Sequence, residues 1–186
     1  MALNQATIDN FLPADEKIPN NSPYLKFQEG ANKFRVLSSA ITGYEYWTND
    51  NKPVRSKTPF RHHENGKLNP KTGQVDMKYF WAFSVFDYAD KKVKILEITQ
   101  KGIQQKIMNL TKNEDWGNPK GYDLTVTRSG TGMDTEYDVM PSPAKDLPTE
   151  AAEQFASMNI NLEALYSGEN PFGESVDVDE VAKELG

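Results

Sequence analysis

The chain has 186 residues, 37% of them hydrophobic, and no cysteine, so one substantial core with flexible ends fits its length, while disulfides, thiolate catalysis and the usual structural zinc sites are excluded. A mean hydropathy of -0.70 and the lack of a long apolar run argue against a membrane helix, and residues 1–10 lack the blocks of a signal peptide. The net charge of -6 hides an asymmetry: Lys33 to Arg128 carries 17 Lys and Arg against 10 Asp and Glu, whereas Ala144 to Gly186 carries 2 against 10. A mildly basic body and an acidic tail follow from that distribution, although acidic tails also serve simply to keep proteins dissolved.

In chain order, residues 1–24, rich in Asn, Asp, Pro and Ser, read as an N-terminal arm. Strand alternation begins at Lys33 to Leu37, where Phe34 and Val36 interleave with Lys33 and Arg35, and continues at Ile41 to Thr48 with Tyr44, Tyr46 and Trp47. Residues 49–74 hold Pro53, Pro59, Pro70, Gly66 and Gly73 and predict a long irregular loop, stocked with Lys52, Arg55, Lys57, Arg61, Lys67 and Lys71. Met77 to Asp87 is the strongest strand pattern, with Tyr79, Trp81, Phe83 and Val85 on one face and Lys78, Phe80, Ala82, Ser84 and Phe86 on the other; one of these faces is expected to be core. A turn at Asp87, Asp90, Lys91 and Lys92 leads into a strand at Val93 to Ile98. Thr99 is placed to cap a helix with Ile103, Ile107 and Leu110 on its buried stripe. Tyr122 to Thr127 and a strand bearing Tyr137 and Val139 predict a hairpin around Gly130 and Gly132. After Pro141 and Pro143, a short helix at Thr149 to Met158 presents Ala151, Phe155 and Met158 to the domain.

This order predicts a mainly β fold, a five-stranded Greek-key barrel of the OB type with one helix between strands, a short C-terminal helix and a flexible acidic tail. Its divisions are an arm at 1–24, the barrel at 25–143, a helical extension at 144–166 and the tail at 167–186. Catalytic signatures are weak. His62 and His63 are adjacent and lack further soft ligands, no glycine-rich phosphate loop or nucleophile elbow occurs, and the paired Asp177 and Asp179 sit in the tail. Neither an enzyme, a metal nor a cofactor is expected.

Aromatic residues interleaved with cations do stand out. Single-stranded nucleic acid asks for that mixture, because each base offers a flat apolar face and each phosphate a charge. Tyr44, Tyr46, Trp47, Tyr79 and Trp81 are the candidate base platforms, and Lys52, Arg55, Lys57, Arg61 and Lys78 the candidate phosphate contacts. Against this stands the ordinary fate of strand aromatics, which is burial; Phe34, Phe80, Phe83 and Phe86, lacking polar tips, are the core candidates, whereas Tyr44, Tyr46, Tyr79 and Trp81 are expected at a wet surface.

The blocks Lys26-Phe27-Gln28-Glu29-Gly30, Lys33-Phe34-Arg35-Val36-Leu37-Ser38-Ser39-Ala40-Ile41, Gly43-Tyr44-Glu45-Tyr46-Trp47, Lys52-Pro53-Val54-Arg55, Tyr79-Phe80-Trp81-Ala82-Phe83 and Ile95-Leu96-Glu97-Ile98-Thr99-Gln100-Lys101 resemble the single-stranded-DNA-binding proteins of tailed phages and prophages. Trp116-Gly117-Asn118-Pro119, Tyr122-Asp123-Leu124 and Arg128 extend the resemblance, which covers roughly Leu25 to Pro143. It implies an OB-fold core that coats unwound DNA in replication, recombination and repair, in the cytoplasm of an infected or lysogenic bacterial host. It also implies an acidic tail, with Asp177, Asp179, Glu180 and Glu184, that competes for the DNA groove or recruits phage replication or recombination proteins. The alternative is a protein-interaction module, a replisome or virion adaptor on an OB-like scaffold.

Overall fold

The computed structural model describes residue 18 and residues 21–173. The tail residues Asp177, Asp179, Glu180 and Glu184 and most of the N-terminal arm lie outside the described residues. Eight strands follow in chain order: β1 Tyr24–Leu25, β2 Gly30–Val36, β3 Ile41–Trp47, β4 Pro53–Ser56, β5 Lys78–Asp87, β6 Lys92–Ile98, β7 Asp123–Ser129 and β8 Glu136–Pro141. The helices are α1 Lys101–Lys112, α2 Thr149–Met158 and α3 Ala164–Ser167. The fold is mainly β, as the sequence predicts, but eight strands replace the expected five. Two residues of β1 are too few to show a period, and β4 starts at Pro53 inside a stretch whose composition signals a loop.

Strand β5 organises the sheet. One edge pairs with β6, and the other is divided between β3, at Lys78 to Ala82, and β2, at Val85 to Asp87. Val36 pairs with Val85 and Ile41 with Ala82, so four residues on one side face two on the other. This bulge bends the chain. Its polar groups are met locally: the Leu37 amide donates to the Ser84 carbonyl (2.9 Å) and the Ser84 amide to the Ser38 hydroxyl (2.8 Å). Strand β2 then carries the sheet on to β7 and β8, giving the order β1-β6-β5-β2-β7-β8, with the β3–β4 ribbon branching from β5.

The β7–β8 hairpin turns at Gly130, which has φ +78°, and a Cβ there would lie 2.2 Å from the Asp134 carbonyl oxygen, so only glycine fits.

From Ala82 onward both faces of β5 are buried, which corrects the expectation of a single core face. On one side Phe34, Val36, Phe83, Val85, Leu96, Ile98, Leu124 and Val126 pack against Ile103 and Ile107 of α1. On the other, Phe80, Ala82 and Ile95 meet Leu165, while Phe86 and Val93 meet Ala151. The alternation at Met77 to Asp87 was apolar on both faces for this reason: the segment from Leu147 to Phe172 covers the outer side. Each such fully buried Phe, Leu or Ile contributes about 1.5–3 kcal/mol.

Polar ties fix the two covers. Gln104 of α1 donates to the Ile98 and Tyr79 carbonyls (2.8 and 3.1 Å), and Gln154 of α2 accepts from the Val93 amide (3.0 Å). Helix α1 begins after Gln100 rather than on a Thr99 cap, and no side chain caps it. One buried ion pair crosses the β2–β7 register, Arg35 Nε to Asp123 Oδ1 at 2.7 Å, with both side chains almost wholly buried. Among the described residues, no helix is long and apolar enough to cross a membrane.

Candidate nucleic-acid interface

Register and alternation put Tyr44, Tyr79 and Trp81 on one face of the β3–β5 pair. Tyr44 and Tyr79 are direct partners whose rings meet edge to face at 5.3 Å, and Tyr79 remains 40% exposed. Trp81, half-buried, forms a wall of a groove of about 440 Å³ that reaches Ser38, Ser39, Pro119 and Lys120.

Tyr46 departs from the expected wet position. It is only 3% exposed, gripped edge-on by Phe60 and His63 at 4.8 and 5.0 Å, and its hydroxyl donates to the Glu64 carbonyl (3.1 Å). The long basic loop therefore has an aromatic core of its own. It folds back through the Thr48–Gly66 bridge, where a Cβ on Gly66 would sit 2.6 Å from Val75. Trp47 points to the opposite face from Tyr44 and Tyr46 by alternation, is 44% exposed, and shares a groove of about 370 Å³ with Lys67, Leu68, Pro70 and Lys78. The five rings are thus split: a row of three, one platform beside Lys78 on the other side, and one sealed anchor.

The cations divide as well. Lys52, Arg61 and Lys78 are exposed. Lys57 is also exposed but pairs with Glu163 (3.0 Å) and lies 5.2 Å from the Tyr166 ring, against the C-terminal cover. Arg55 is not a free cation. Its guanidinium binds Glu45 (3.2 Å) and Glu97 (2.5 Å) and lies 5.7 Å from the Phe80 ring, because β4 pairs with β3 and turns Arg55 toward the covered face.

No family model matches this chain, and no solved structure matches it. Over 139 aligned residues it is 30% identical to a protein of Escherichia phage T5 named "Probable ssDNA-binding protein". The chain is similar to a phage single-stranded-DNA-binding protein. The alignment covers 62% of this chain and 53% of the relative, so the chain spans about half the length of the protein it matches. The resemblance read from the sequence blocks is supported by this relative.

The Glu45, Arg55 and Glu97 cluster has one cation for two carboxylates. Burial first, then the hydrogen bond and repulsion of Glu97, push the Glu45 carboxyl up to about 8, against the pull of Arg55. The folded protein therefore holds a proton that the unfolded chain releases near pH 4.5, and stability falls as pH rises from there to about 8. Glu45→Gln should flatten that decline in thermal melts taken between pH 5 and 8.5; a decline as steep as in the parent would remove Glu45 as its source.

Among the described residues, no group of three or more His, Asp or Glu side chains is gathered as a metal would require. His63 instead packs on Tyr46 and Phe60. Sequence reasoning passed over Lys120, which borders the groove that Trp81 lines, and Lys145, which shares a second hollow with Lys120. The signal for Lys120 was slight, a lysine between Pro119 and Gly121 in a turn that only the bulge brings near Ser39.

Proposed function

We propose that this chain binds single-stranded DNA without fixed sequence preference, stacking bases on Tyr44, Tyr79 and Trp81 and, on the neighbouring side, on Trp47 beside Lys78. The observation that carries this is the ring row itself: three aromatic side chains in register on one face of β3–β5, with Tyr79 well exposed. Natural cores hide such rings, whereas a strand of unpaired bases gains about 1–3 kcal/mol from each platform. The phage relative's name supports the same reading. Lys52, Arg61, Lys67 and Lys78 supply exposed charge for phosphates, while Tyr46 and Arg55 hold the loop and the ribbon in place.

The topology supports an OB-like barrel. With β2 and β3 taken as one strand bent at the bulge, the pairing runs β6-β5-β2/β3-β7-β8, and α1 falls between the third and fourth strands. On this reading the protein is a non-enzymatic coat for unwound DNA during phage replication, recombination and repair in the cytoplasm of the bacterial host. Residues such as Asp177, Asp179, Glu180 and Glu184 recruit partners or compete with DNA.

Titration with oligo-dT at two salt concentrations, followed by tryptophan fluorescence, tests it. Quenching and a negative dependence of log K on log salt, about 0.7 per phosphate neutralised, are expected; a chain that neither quenches nor responds to salt is not a strand binder. Deleting Glu174 to Gly186 should tighten binding at low salt, and unchanged affinity would reject competition by the tail.

A further inference from the structure

Two hollows meet at Lys120, and the bulge between β2 and β3 lines the first of them. The first is the groove of about 440 Å³ with Trp81 and Pro119 on its walls and Phe83 and Ile107 among its lining. The second, about 430 Å³, runs past Arg35, Gly121, Lys145 and Leu147. Beside it lies the buried carboxylate of Asp123. Its Oδ1 accepts from Arg35 Nε and from the Tyr88 hydroxyl, each at 2.7 Å. Its Oδ2 has no hydrogen bond and only the looser ion pairs of Lys145 (3.2 Å) and Lys33 (3.6 Å).

One buried carboxylate thus serves three cations. Lys33 and Lys145 also hover over the Tyr88 ring at 5.0 and 5.6 Å, with side chains 43% and 50% exposed. Lys120 adds a fourth charge, its Nζ 3.5 Å from the Ser39 hydroxyl, and the carboxylate lining the second hollow is that of Asp146. Positive charge in excess of its local partners, next to a groove with an indole wall, matches a phosphate followed by a base.

We propose that this surface is a second stretch of the nucleic-acid interface, resting on the single-stranded-DNA reading above. An unpaired base enters the groove against Trp81 and Pro119, and the phosphates on either side of it are held by Lys120 and by Lys145 with Lys33. Trp81 belongs to the ring row and to the groove at once, so a strand leaving Tyr44 and Tyr79 crosses the bulge there and continues toward Lys145.

The test uses the full chain, oligo-dT and a salt series. Lys120→Gln with Lys145→Gln removes two phosphate contacts, so the log–log salt slope should become shallower by about 1.4, and affinity at 0.1 M salt should fall roughly 10- to 30-fold. Lys120→Arg with Lys145→Arg should keep the parent slope. Lys91→Gln with Lys92→Gln, the same charge change at the exposed β5–β6 turn, should keep it too. A glutamine pair at 120 and 145 that melts like the parent yet binds with its slope and affinity overturns the proposal, as does an equal loss in the Lys91 and Lys92 pair, which would mark net charge as the cause. If the parent itself binds no oligo-dT, the functional reading fails and takes this surface with it.

Discussion

Tyr79→Ala is expected to weaken oligo-dT binding by about 1–3 kcal/mol, roughly 5- to 150-fold, while leaving the fold intact. The ring is the most exposed of the three in the row, and its main packing loss is the edge contact with Tyr44, worth about 0.5–1.5 kcal/mol. The backbone at this position keeps its work, since the Tyr79 carbonyl still accepts from Gln104. Tyr46→Phe is the informative partner. It deletes the hydroxyl bond to the Glu64 carbonyl and should lower stability by about 1 kcal/mol with DNA affinity unchanged. Fluorescence titration and thermal melting of the two variants separate the roles. Full affinity in Tyr79→Ala would show that bases stack elsewhere.

Arg35→Met should cost about 3–5 kcal/mol of stability, the typical penalty for stranding a buried charge. Arg35 and Asp123 are 1% and 0% exposed, and the guanidinium also donates to the Lys120 and Lys145 carbonyls. Removing it leaves Asp123 with Tyr88 and two lysines that are half in water. Chemical denaturation measures the loss, and a change under about 1 kcal/mol would show that Lys33 and Lys145 suffice. The same site sets an acid limit. Burial opposes ionisation of Asp123, but Tyr88, Arg35 and Lys145 outweigh it and hold its carboxyl below the usual value of 3.8. That stabilisation is complete above the unfolded pKa and disappears as pH falls through the folded one.

The strands with clear alternation, β2, β3, β5, β6, β7 and β8, were legible because each turns at least one face inward, half-buried in β8, and so carries a period of two. Helices α1 and α2 were legible from Ile103 and Ile107 and from Ala151 and Phe155 in the same way. What β5 did not disclose was the source of its second cover, since a strand covered on both sides reads identically whether that cover comes from a barrel or from a later segment. At the site, polar tips guided the choice of Tyr79 correctly toward the surface. The same criterion misplaced Tyr46, because a hydroxyl satisfied by the Glu64 carbonyl is as comfortable inside as in water. Arg55 looked like its loop neighbours in one dimension; only the β3–β4 register reveals Glu45 across from it. Lys120 and Lys145 depend on a contact between distant stretches, which no local pattern encodes.

The cover formed by Leu147 to Phe172 bears on how this molecule can be trimmed. A version ending at Pro143 would retain every strand yet lay bare Phe80, Ala82, Ile95, Phe86 and Val93, a greasy plate suited to sticking to its own copies. The smallest piece that can be expected to stay monodisperse in a test tube therefore extends to Phe172, well past the last strand.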